Sequence, residues 1–182
     1  GLQTSANPFA FCASMGELGI FSLPERVAAL RDPERKRRIL AEHAELAATL
    51  EPGIVQQIMC GFDVIFRLTD PVDYELDADW CVAAEARAQG REPADVIYDL
   101  LLERDGTQLL YLPLFNFAHR SFDDIFEMIT APNTLFGLSD AGAHCGAICD
   151  ASMTTSSLAL WSRDRRRGER IPVEQIVHGH TQ

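Results

Sequence analysis

Thr134-Leu135-Phe136-Gly137-Leu138-Ser139-Asp140-Ala141-Gly142-Ala143-His144 is the stretch on which the fold assignment turns. Its first five residues make a short, largely apolar run, with Pro132 before them and Ser139-Asp140 after them. That pattern predicts a buried strand ending in a turn. The expected strand would deliver a carboxylate, small residues and an imidazole at its C-terminal lip, where α/β barrels carry their chemistry. A carboxylate in that place can hold a metal or shuttle a proton, which makes Asp140 the leading catalytic and metal-ligand candidate. A Ser-Asp-Ala-Gly run also opens ordinary turns. The surrounding chain has to decide between the two readings.

Outward from this stretch the chain alternates. Residues 61–68 are rich in β-branched and aromatic side chains and predict a strand. An Ala-rich helix is expected over 79–89, then a second from Pro93 to Arg104 with Gly106 as its stop. Residues 109–115 read as a strand. Ser121 opens a helix whose Phe122, Ile125, Phe126 and Ile129 form a one-turn stripe, and Pro132 ends it. After Asp140 come a helix around 155–162 and a last one from Pro172. Strand-helix alternation of this kind predicts parallel strands joined by right-handed crossovers.

The first sixty residues read differently. Residues 1–19 show no period and are expected to be loop. Ser22-Leu23-Pro24-Glu25 is a capping box opening a helix through Arg31. Asp32-Pro33 then opens another through Leu50, where Glu51-Pro52-Gly53 stops it. The expected organisation is a helical and loop insertion over 1–60, followed by β/α units over 61–182. A closed (β/α)8 barrel needs about 250 residues, so 182 residues with three strands suit only the later part of one. The fold class expected is α/β, as a partial TIM barrel.

Charge and composition exclude several function classes. Sixteen basic against 27 acidic residues give a net charge of -11, which argues against a surface that follows nucleic-acid phosphates. The basic run Arg35-Lys36-Arg37-Arg38 reads as a solvated helix face, and 163–170 as a loop between helices. No apolar run reaches the ~18 residues of a membrane span, and no basic segment leads an apolar one at the start. Five scattered cysteines are not a disulfide framework, so a reducing cytoplasm is the expected compartment.

The motif at 135–144, with Ile148-Cys149-Asp150-Ala151-Ser152 after it, resembles the N-acyl-D-amino-acid deacylases. These form the D-aminoacylase branch of the metal-dependent amidohydrolases. Asn7-Pro8-Phe9, Leu23-Pro24-Glu25-Arg26-Val27, Leu30-Arg31-Asp32-Pro33, Asp70-Pro71 with Asp73-Tyr74-Glu75, and 112–117 resemble the family too. So do Trp161 with Arg163-Asp164-Arg165, and Ile171-Pro172. All occur in the family's order. The resemblance implies a zinc-dependent barrel hydrolase with 134–138 as its final strand. It also implies that Asp140 takes the proton of a metal-activated water and passes it to the leaving amine. The family's His-x-His pair and its other metal ligands come from earlier strands, and nothing before Gly61 supplies them.

Other candidates follow from position. His144 shares the Asp140 loop and could orient a substrate carboxylate; the rival reading is a loop histidine satisfied by backbone. Asn116 and His119 fall just past the 109–115 strand, and Tyr74 after the 61–68 strand, where each could touch substrate. His178-Gly179-His180 imitates a metal pair but lies in an expected helix. Cys145 and Cys149 lack a zinc spacing and read as buried small hydrophobes, although Cys145 with His144 also allows a thiol hydrolase. Asp150 and Ser152 are expected to cap a helix, and His43 to lie on a helix surface.

The reading is hydrolysis of the amide of a small N-acyl-D-amino acid or related amide, with zinc held mostly by ligands outside the chain. No nucleic-acid or membrane partner is expected; the partner is the remainder of the barrel or a second copy. The rival is a non-catalytic interaction module derived from the barrel and associating with another chain.

Overall fold

A computed structural model describes residues 7–10, 12–18, 22–113, 115–117, 119–137 and 150–181. The described residues are mostly helical with one two-stranded sheet, a mixed α/β composition. They fall into two units, Gly1–Leu114 and Phe115–Gln182.

Two helix starts in the first unit, those at Leu23 and Pro33, follow their local signals. After a short helix α1 (Ala13–Gly16), which the aperiodic opening did not predict, come α2 (Leu23–Leu30) and α3 (Pro33–Ala47). Ser22 donates to the Glu25 carboxylate from its backbone N–H at 2.8 Å and from its hydroxyl at 2.7 Å. Asp32 accepts the Arg35 N–H at 3.0 Å ahead of Pro33, satisfying a donor that the first turn leaves without an intrahelical acceptor. Asp32→Ala is therefore expected to cost about 1 kcal/mol, read as a lower urea midpoint with an unchanged slope.

The strand expected over 61–68 shrinks to β1 (Phe66–Arg67). An unanticipated helix α4 (Ile54–Cys60) runs into a turn: the Gly61 N–H reaches the Gln57 carbonyl at 2.9 Å, and that of Val64 reaches Gly61. Local hydrogen bonds thus take residues that β-propensity alone assigns to a strand. β1 pairs with β2 (Leu110–Tyr111), Phe66 opposite Tyr111 and Arg67 opposite Leu110. The pair is antiparallel, which corrects the parallel expectation. Two packed helices, α5 (Val82–Gln89) and α6 (Pro93–Gly106), fill the connection. They are joined through Gly90, whose φ of 63° suits a left-handed cap.

The core gathers Ile39, Ile65, Ile97 and Leu112 with Phe9, Val82, Leu100 and Leu110. Burial of each such side chain stabilises by roughly 1.5–3 kcal/mol. His43 belongs with them, contrary to the surface position expected. It lies one turn after Ile39 on the same face of α3 and is buried. Its Nε2 sits 2.9 Å from the Met59 carbonyl, which requires the Nε2–H tautomer, and its ring meets Phe9 edge-on at 5.2 Å. This is a hydrogen-bonded core histidine.

The basic run on α3 likewise does more than face solvent. Lys36 Nζ lies 2.6 Å from Asp95 and 2.7 Å from Asp99, and Arg91 reaches both carboxylates at 2.6 and 2.5 Å. Arg35 and Arg38 both reach Glu17. The first set ties α3 to α6. Partial burial pushes the Asp95 carboxyl up, but hydrogen bonds from Lys36 and Arg91 outweigh it and hold it below its usual value. A carboxyl depressed in the folded state stabilises above its unfolded pKa and loses that contribution as pH falls through the native one. Asp95→Asn should thus lower the urea midpoint at neutral pH, with the gap to the parent protein closing as pH drops below about 4. A gap that stays constant down to acid pH would refute this linkage.

In the second unit, α7 (Asp123–Thr130) is followed by a short turn at Asp150–Ser152 and by α8 (Met153–Leu158). A π-helical turn, Ala159–Asp164, then leads to α9 (Val173–Thr181). Of the stripe expected on α7, Phe122 is buried while Ile125, Phe126 and Ile129 are half-buried. Phe122 and Phe126 each pack 6.3 Å from the ring of Trp161. Arg165 continues this cluster and is nearly sealed from solvent. The basic segment 163–170 is therefore anchored at one residue in the unit's interior.

Residues 134–137 form neither helix nor strand, against the final strand expected over 134–138; Leu138 lies outside the described residues. Leu135 is 77% exposed, and the Phe136 ring lies 4.5 Å from that of His180. A strand exists only through the hydrogen bonds of a neighbouring strand, and the described residues of this unit provide none. Among the described residues no helix is long and apolar enough to cross a membrane.

Candidate functional site

Asp140, His144, Cys145 and Cys149 lie outside the described residues. The other candidates can be placed individually. Ser152 occupies the N-cap position of α8 without a side-chain cap bond.

Tyr74 follows β1 on a loop fixed by its own polar groups. The Asp73 N–H donates to the Thr69 hydroxyl at 3.0 Å, and the Glu75 N–H to the Asp73 carboxylate at 2.9 Å. These turns set Tyr74 edge-on against Tyr111 of β2 at 5.5 Å. Burial, with Tyr74 beside it, pushes the Tyr111 phenol above its usual range. Tyr111 thus stays neutral, and Tyr74, half-buried, packs over the end of the small sheet.

Asn116 and His119 sit on the segment entering α7. Asn116 is exposed with φ 57°, a left-handed conformation that Asn tolerates better than most residues. His119 is 76% exposed, and its Nδ1 lies 2.8 Å from the Asp124 carboxylate. That contact places the Nδ1–H on the carboxylate and leaves Nε2 as the other ring nitrogen available for contact. Asp124 is the residue sequence reading missed. An acid in the first turn of a helix, behind a loop histidine, is the signal that could have found it.

The histidines of His178-Gly179-His180 lie on α9, where residues two apart are about 200° apart around the axis. The same-side geometry of a strand does not arise. His178 is exposed, while the His180 ring packs at a tilt against Phe136. Among the described residues no group of three His, Cys, Asp or Glu side chains can hold a metal ion. Cys12, Cys60 and Cys81 are free thiols. Burial, then the nearby Glu42 charge, pushes Cys12 up to about 11, and burial also raises Cys60. Neither has the depressed pKa of a nucleophile.

The first unit also carries two open hollows of about 520 Å³ each. One is lined by Gly53, Ile54, Gln57, Cys60 and Gly61 among others, the second by Asp32, Glu34, Arg35, Arg37 and Arg38. Tyr74 lines neither. No family model, curated protein or solved structure matches this chain.

Proposed function

We propose that the chain is a partial (β/α)8 barrel, the C-terminal portion of a zinc-dependent amidohydrolase that cleaves the amide bond of N-acyl-D-amino acids or related amides. The observation that carries this reading is the 135–144 motif, with Asp140 and His144 four residues apart behind an apolar run and the other resembling segments in the same order. Asp140 accepts the proton of the attacking water and returns it to the leaving amine nitrogen. A carboxylate suits that task because it is a competent base at neutral pH and a competent acid once loaded. His144, Asn116, His119 and Tyr74 are the residues proposed to meet substrate. The hydrogen bond from His119 to Asp124 supports a fixed imidazole.

Zinc, when bound, would make the water acidic enough to give up that proton. The described residues do not by themselves form a zinc site, and a catalytic zinc takes three protein ligands. By the family resemblance, the remaining ligands are proposed to come from earlier strands of the barrel. The 182-residue chain alone is expected to bind no stoichiometric zinc and to hydrolyse nothing. Expressed from its complete reading frame with zinc present, the protein is expected to release D-amino acids from their N-acyl derivatives and largely to spare the L enantiomers. Stoichiometric zinc without amide hydrolysis would overturn the reading.

A further inference from the structure

We draw no further inference here: the strongest candidate, the solvent-exposed His119–Asp124 side-chain pair where the chain enters α7, belongs to the site already described, and nothing among the described residues shows what its imidazole would face.

Discussion

Asp140→Asn is expected to lower kcat/KM for hydrolysis of an N-acyl-D-amino acid by about 10²–10⁴-fold, the range a positioned proton-transfer group supplies. The substitution keeps the shape of the side chain and removes its basicity. If Asp140 acts only on the proton, the loss falls on kcat and kcat/KM together, because the interaction exists only in the transition state. Zinc content then stays stoichiometric. If Asp140 also holds the metal, zinc is lost along with activity, so metal analysis of the variant separates its two proposed roles. A variant that keeps its zinc and an undiminished kcat would remove Asp140 from the mechanism. The measurement requires the zinc-loaded protein from the complete reading frame, since the chain alone is proposed to lack the other ligands.

Capped helix starts were legible in the sequence, whereas the extent and pairing of strands were not, since β1 and β2 fill only two residues each of the windows 61–68 and 109–115. A helix start is a local event: Asp32 caps Arg35 three residues away, and Ser22 meets Glu25 over the same distance. Such contacts are written into adjacent letters. A strand is defined by a neighbour that can be far along the chain, as Phe66 is from Tyr111. Residues 61–64 have the composition of a strand, yet they form the turn that ends α4 because their hydrogen bonds close locally. The same distinction explains residues 134–137, which are apolar enough for a strand but have no strand beside them among the described residues.

Charged residues were misread where their partners were distant. The run at 35–38 reads as a solvated face, and Arg37 and Arg38 are exposed, but Lys36 pairs with Asp95 and Asp99 of α6. His43 was expected on a helix surface and is buried. Its one-turn spacing from Ile39 was the available clue to burial. Of the site, the motif around Asp140 was legible as a pattern of residue types. Its geometry was not, because a pocket depends on what stands opposite. Asp124 lies only five residues from His119, so its pairing was available from the local pattern of a loop histidine before a first-turn acid.

Arg165→Ala is expected to destabilise the second unit by about 2–4 kcal/mol, combining lost cation–π attraction, charge-assisted hydrogen bonds and packing. Arg165 is 1% exposed, and its guanidinium lies 4.9 Å from the Trp161 ring centre and 5.0 Å from that of Phe126. It also donates to the Asp123 carboxylate and, at 3.2 Å, to the Arg167 carbonyl. The flat, delocalised cation is suited to stacking on both rings while its edge forms hydrogen bonds. Asp123 is largely exposed, so its attraction alone is screened and contributes only part of the effect. Arg165→Lys keeps the charge but loses the planar stack, and should fall between the parent protein and the alanine variant. The chain has two tryptophans, Trp161 being buried in this unit and Trp80 60% exposed in the other. In a Trp80→Phe background, urea unfolding followed by tryptophan emission therefore reports this cluster. Equal midpoints for the alanine variant and its parent would mean that the stacked guanidinium contributes nothing to holding Trp161 in place.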